Sequence, residues 1–507
     1  MRKACVNLLL GALVTAGLGS AQTPSVVFSV KAYGAKGDGK TLDTAAVNKA
    51  IEAASSAGGG TVYFPPGTYV SGSIHLRSRV TLFLGQGSVL EASPDPEVYD
   101  PIEESQKQWA KFQDFGHTYF HNSLIWGEGL EDIAIVGPGL IYGKGLARAA
   151  DQRVGNKAIS LKLCRNVTIR DVSMLMCGHF AILATGVDNL TIDNIKIDTN
   201  RDGIDVDSCR HVRISNCSVN SPRDDAIVIK GSHALGFARA TEDLTITNCE
   251  VTGFEEGSFL NGTYKRRGPT PERNGPTGRI KIGTESEGSF RNITISNCVF
   301  DYSRGLALET VDGAQLEDIS ITNITMRDIA NAPLYLRLGR RMRAPEGTPI
   351  GALRRVNISN LVVYNADPRY GSMIIGIPGR DIQDVSLSNI RIYYQGGGTK
   401  EQAAINPPEN ETEYPEPYRH GVMPAYGFFI RHAQGVQMTN VEVSYLKEDL
   451  RPAFVLEDIK GAEFNLVKAR HAPGVPTFRL KGVEDFSLHR CGALPDMRLP
   501  KAQQKEF

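Results

Sequence analysis

The chain has 507 residues, with 56 Lys plus Arg against 56 Asp plus Glu and a formal net charge of zero. That balance excludes a global field drawing it to nucleic acid or an anionic membrane, so any basic subsite must be local. The 52 glycines suit many tight turns between short strands.

Residues 1–21 read as a secretory signal. Arg2 and Lys3 form a charged start, Leu8 to Leu18 a short apolar run, and Gly19-Ser20-Ala21 a small-residue cleavage site before Gln22. The run is too short to span a bilayer. The remainder, 22–507, is expected to be a single domain, secreted or periplasmic. Losing Cys5 leaves Cys164, Cys177, Cys209, Cys217, Cys249, Cys298 and Cys491, an odd count that argues against a complete disulfide framework. Cys217, Cys249 and Cys298 each follow an Asn and read as small buried core residues. There is no Cys-x-x-Cys pair to suggest zinc; neither a metal nor another cofactor is expected.

The next element is a helix. Asp43 can cap it, Val47, Ala50, Ile51 and Ala54 share one face, and Gly58-Gly59-Gly60 ends it. It suits the role of a plug over the open end of a stack. Strands begin at Thr61-Val62-Tyr63-Phe64.

From residue 160 one pattern recurs, an alternating Val-x-Ile-x-Asn run followed by an apolar residue. Its reference asparagines are Asn194, Asn216, Asn248, Asn297, Asn323, Asn360, Asn389 and Asn440. Their steps are 22, 32, 49, 26, 37, 29 and 51 residues. A base near 22–26 with insertions means one coil per repeat and loops grafted on some coils. Asn suits a left-handed bend and can bond its equivalent one coil away. The expected fold is all-β, a right-handed parallel β-helix with an N-terminal capping helix. Three insertions mark the working face: Pro94 to Tyr119, Gly253 to Thr277 and Gly396 to Gly421.

Three acids stand out in Asn200-Arg201-Asp202-Gly203-Ile204-Asp205 and Arg223-Asp224-Asp225-Ala226-Ile227. Asp202 and Asp224 are 22 residues apart, the local period. Residues one period apart stack at about 4.8 Å, so the acids are expected on adjacent rungs of one surface, as acid–base cleavage of a glycosidic bond requires. Neighbouring Asp224 and Asp225 face opposite ways in a regular strand. Both join the site only if the backbone bends.

These segments resemble the family 28 glycoside hydrolases, the polygalacturonase family of pectin-degrading β-helix enzymes. Tyr33–Gly39 and Pro65-Pro66-Gly67 resemble that family's entry segment. His121–Ile125 through Gly137-Pro138-Gly139 resembles its pre-catalytic strands. Asn200-Arg201-Asp202 followed one coil later by Asp224-Asp225 resembles its catalytic signature. The resemblance implies inverting hydrolysis of polygalacturonan or rhamnogalacturonan. Asp224 would be the acid, and Asp202 and Asp225 would hold the attacking water. Asn200, Lys230 and His233 join as candidate substrate contacts.

Two features depart from the family pattern. Thr277 to Gly283 lacks the Gly-His-Gly of many members. The stretch Arg304 to Thr310, where an Arg-Ile-Lys should grip a galacturonate carboxylate, reads Ala307-Leu308-Glu309 instead. Arg279-Ile280-Lys281 imitates that motif one coil early; Arg279 and Lys281 either supply the missing cations or form a solvated pair. Glu309 in the cleft would repel an acidic sugar and favour rhamnogalacturonan. Arg337, Arg340, Arg341 and Arg343 either bind uronate chains or form a charged loop face. The rival readings are a polysaccharide lyase, with calcium on the same three acids, and a non-catalytic carbohydrate-binding β-helix or adhesin. The expected partner is a polysaccharide, with no nucleic acid and no membrane, for a protein expected to be a monomer.

Overall fold

The computed structural model describes residues 26–147, 156–266, 275–492 and 494–507; the expected signal segment lies outside the described residues. One continuous sheet runs from Val27–Ser29 to Met497–Glu506. Its strand pairings are parallel except the last, where Met497–Glu506 runs antiparallel to Phe478–His489. This is the right-handed parallel β-helix expected from the repeat.

Alternation explains the stacking. Ile74, Ile125, Ile159, Ile182, Ile204, Ile227 and Ile280 pair rung to rung and are fully buried. Each is worth about 1.5–3 kcal/mol of apolar burial. Side chains in a strand alternate faces, so the intervening positions form an outward row. That row runs Trp126, Ser160, Leu183, Asp205, Val228, Lys281, Ala307 and Tyr335. The sequence can vary there without touching the core, and polar chemistry sits there.

The asparagine ladder holds the turns. All eight reference asparagines have φ between 51° and 57°, a left-handed backbone that Asn tolerates. Along the later coils each side-chain amide donates to the one before: Asn323 to Asn297 at 3.0 Å, Asn360 to Asn323 at 3.1 Å, Asn389 to Asn360 at 3.2 Å and Asn440 to Asn389 at 2.9 Å. Cys217, Cys249 and Cys298, one residue on, are buried free thiols.

The N-terminal helix spans Thr44–Ser56 and buries Val47, Ala50, Ile51 and Ala54. It packs on Val27–Ser29, Gly60–Phe64 and Ile74–His75, the first rungs. Asp43 precedes it but makes no side-chain cap. Its carboxylate instead accepts from the backbone N–H of Lys36 and Gly37 at 2.7 and 3.0 Å, which pins the entry turn.

Two insertions cover much of the outward sheet face. Phe120, beside the first, packs with Phe180, Leu183 and Ala234. Met423 and Ala425, at the end of the last, pack with Ala307, Tyr335, Met373 and Phe429. The coils between, around Asp202–Asp207 and Ile227–Gly231, floor a cleft.

Candidate active site

The cleft is lined from the floor by Asp202, Asp224, Asp225, Lys230, Arg279, Lys281 and Arg304. Asp114 and His117 line it on one side, Tyr414, Glu416 and Tyr418 on the other. The three aspartates do meet: carboxylate oxygens of Asp202, Asp224 and Asp225 lie within 4.8 Å of one another. The route differs from the expected one. Ile204 pairs with Ile227, a step of 23 residues, so Asp225 rather than Asp224 follows Asp202 up the stack. The Gly203 N–H accordingly donates to the Asp225 carbonyl at 3.0 Å. Asp224 lies in the bend before the strand and turns its side chain back to the site, with its Oδ1 accepting from the Asp225 N–H at 3.2 Å.

The three carboxylates have different surroundings. Asp202 is 4 % exposed, and its Oδ1 makes no hydrogen bond. Burial, and then the charge of Asp224, push its pKa well above the usual carboxylate range. Asp225 is equally buried, but Arg279 Nε donates to it at 2.7 Å and Lys281 Nζ lies 3.3 Å away. Burial works against its charge; the two cations outweigh that and hold it well below the ordinary range. Asp224 is more open to the cleft and pairs with Arg201 at 2.9 Å. Three acids of one type thus sit in three distinct surroundings, which separate roles require.

Lys230 forms the adjoining floor. Its ammonium lies 3.2 Å from Asp205 and 3.3 Å from Glu285. It donates to His117 Nε2 at 2.6 Å. Burial and the charge of Lys230 hold His117 well below its usual pKa, so the ring is neutral and accepts. Burial raises Asp205 to about 8 despite Lys230.

Arg279 and Lys281 are 2 % exposed, so the solvated-pair reading fails: both face Asp225 and line the cleft. Glu309 does not. It is fully buried, sits 3.5 Å from Lys281 and accepts from the Thr284 hydroxyl at 3.3 Å. It is a counterion beneath Lys281, so it cannot meet a sugar as expected. His233 is also outside the cleft, held by Glu287 at 2.5 Å and packed on Trp109 and Phe112. Asn200 does not line the cleft; its carbonyl accepts from the Arg223 N–H at 3.2 Å and shapes the bend that presents Asp224. The arginine run is a strap, not a uronate site. Arg337 is buried against the carbonyls of Gly376, Glu409 and Asn410. Arg340 pairs with Glu411 at 2.7 Å, and Arg343 with Asp114 at 2.7 Å.

Residues 107–253, which carry all three aspartates and Lys230, match the family model for Glycosyl hydrolases family 28. Residues 27–103 match a second model, Rhamnogalacturonase A/epimerase, pectate lyase-like. Over residues 107–253 the chain is that of a glycosyl hydrolase family 28 protein. It is a glycoside hydrolase. A "Probable polygalacturonase" of Vitis vinifera is 25% identical over 387 residues, 71% of this chain and 73% of the relative. An "Exo-poly-alpha-D-galacturonosidase" of Dickeya chrysanthemi is 32% identical over 170 residues, 32% of this chain and 28% of the relative. Among solved structures, the "Family 28 Exopolygalacturonase" of Yersinia enterocolitica superposes with a TM-score of 0.62 at 17% identity, covering 89% of this chain and 79% of that one.

The family 28 cleft also contains residues that no motif flagged. His117, Tyr414 and Glu416 reach it from insertions without a repeat phase. Only the run Tyr414-Pro415-Glu416-Pro417-Tyr418, aromatic and acidic inside a loop, carried a signal.

Proposed function

We propose that this family 28 hydrolase cleaves a pectic polysaccharide, polygalacturonan or rhamnogalacturonan, with inversion at the anomeric carbon. It would do so as a single exported catalytic domain that follows a leader at 1–21. The observation that carries the reading is the convergence of Asp202, Asp224 and Asp225 within 4.8 Å, in three different electrostatic settings.

Asp224, the most accessible of the three, donates a proton to the leaving glycosidic oxygen. Asp202 and Asp225 accept hydrogen bonds from the attacking water. Asp225, held ionised by Arg279 and Lys281, is a poor proton acceptor and serves to orient. The water's proton passes to Asp202, whose burial gives it high proton affinity. The productive form is the one in which Asp202 is ionised and free to accept. Lys230, Arg279, Lys281 and Arg304 line the cleft and give a polysaccharide hydrogen-bond donors along its floor.

Two observations bear on the alternatives. Arg279 and Lys281 stand against Asp225, which opposes a calcium ion on the three acids and disfavours a calcium-dependent lyase. Single oxygens of the trio also approach within 4.8 Å, closer than the roughly 6.5–9.5 Å that separates whole carboxyl groups in inverting enzymes. Inversion is kept because two carboxylates, not one, are positioned to hold the water. Proton NMR of the newly formed reducing end at early times decides. The expected product has the opposite anomeric configuration to the substrate bond; net retention would make Asp202 a nucleophile and overturn this mechanism.

A further inference from the structure

Glu416 belongs to the insertion that closes one side of the cleft. Its side chain is 8% exposed and stands between two arginines of the floor. Arg279 Nη2 donates to its Oε1 at 2.7 Å, and Arg304 Nη1 to its Oε2 at 2.9 Å. The same Arg279 holds Asp225 through Nε. Glu416 therefore occupies, with both carboxylate oxygens, the guanidinium donors next to the reacting acids. A carboxylate on a sugar seated there would need those donors. The remaining cation on this side, Lys281, is already shared between Asp225 and Glu309. Arg279 and Arg304 thus already face carboxylates of this chain, Asp225 and Glu416, and Lys281 faces Asp225 and Glu309.

We propose that Glu416 is a specificity-determining residue: it fills the place of a substrate carboxylate between Arg279 and Arg304, so the sugar bound at that subsite is uncharged. Its class is a neutral hexose or deoxyhexose unit, or a galacturonate masked as its methyl ester. An ionised uronate there meets a fixed carboxylate, and like-charge juxtaposition at a desolvated contact is strongly unfavourable. A hydroxyl or ester meets an acceptor or an indifferent neighbour. The inference rests on the pectic reading of the same cleft, but its main readout is binding and needs no turnover.

The probes are oligogalacturonates of one defined length, prepared as the free acid and as the methyl ester. Their affinities are measured by calorimetry with wild-type protein and Glu416→Gln, and turnover is followed in parallel. Wild type is expected to bind the ester more tightly than the acid. Glu416→Gln is expected to move the acid-to-ester ratio toward the acid on the order of tenfold, with the change in KM rather than kcat and reduced by salt. A purely structural role for Glu416 would weaken both probes together and leave the ratio unmoved. Tighter wild-type binding of the free acid overturns the proposal even if the variant fails to fold, and so does binding of neither probe. Hydrolysis of pectic material with the wrong preference removes this inference alone; binding without hydrolysis of any pectic fraction removes the functional reading alone.

Discussion

Asp202, Asp224 and Asp225 work as a set because their neighbours differ, and single substitutions should separate them. Asp224→Asn keeps the shape and the bond from the Asp225 N–H but cannot donate the catalytic proton. Turnover should fall roughly 10²–10⁴-fold with little change in substrate affinity; retention of more than about a tenth of the rate would reassign the acid. Glu309 makes a separate prediction. Burial raises its pKa from 4.5 to about 7, in spite of Lys281 and Arg279. The folded state therefore prefers the protonated form. No stability is lost below the unfolded value of 4.5; the loss grows between 4.5 and about 7 and is constant above, on the order of 3 kcal/mol. Glu309→Gln should raise the melting temperature more at pH 8 than at pH 5, and an equal shift at both would mean the carboxyl is ionised throughout. The three aspartates were legible in the sequence because they lie where the repeat is regular. The stacking partner of Asp202 was not, since the bend before Ile227 lengthens the coil from 22 to 23 residues. Glu309 was misassigned to the cleft because strand phase tells which face a side chain leaves from, not whether a loop then covers it.

At the scale of elements, the insertion from Gly396 onward supplies Tyr414, Glu416 and Tyr418, and a buried ion pair fixes it in place. Arg451 and Asp449 are both fully enclosed, with Arg451 Nε and Nη2 donating to Asp449 at 2.9 and 2.7 Å. Asp449 also accepts from the Gly398 N–H at 2.9 Å, at the start of the insertion. Arg451 donates to the Met423 carbonyl at 3.1 Å, at its end. A Cβ at residue 398 would collide with the guanidinium, so glycine is required there. Arg451→Ala would leave Asp449 buried without its partner, which costs about 3–5 kcal/mol. It should lower the melting temperature, expose the insertion to limited proteolysis and raise KM. A variant with normal KM and protease resistance would show that the loop is held by its apolar contacts alone. On the opposite wall, Arg343 joins Asp114 of the first insertion, while Arg340 holds Glu411 of the last. The segment between these arginines thus links both walls. The insertions were visible in the sequence as breaks in the asparagine spacing, but their contacts were not. A loop has no period, and the strap's arginines left two readings open, uronate binding or a charged loop face, because their acceptors come from distant segments.

For the whole molecule, a stack of coils raises the question of what ends it. Each rung pairs only with its neighbours, so stability is close to a sum of local terms, and an open last rung presents unpaired N–H and C=O groups. At the first rungs the Thr44–Ser56 helix covers the core. At the other end Met497–Glu506 turns back antiparallel on Phe478–His489, and Phe507 packs on Phe478 and Phe486 at 5.5 and 5.9 Å between ring centroids. The sequence announced the helix by its 3.6-residue apolar face. It did not announce the closing strand, whose Met497 to Glu506 run is mostly exposed and lacks the Asn-turn signature of the parallel coils. Removing residues 495–507 would uncover the Phe478–His489 edge and the phenylalanine stack beneath it. The cleft lies several coils away, so the truncated protein should keep near-normal kcat in dilute solution. With rising concentration it should associate edge to edge, seen as growing light scattering and a melting temperature that depends on protein concentration. If the truncated chain instead stays monomeric at every concentration, Phe478–His489 resists pairing unaided and the antiparallel strand is dispensable. If it loses activity even when dilute, coupling along the solenoid reaches farther than nearest-neighbour stacking allows.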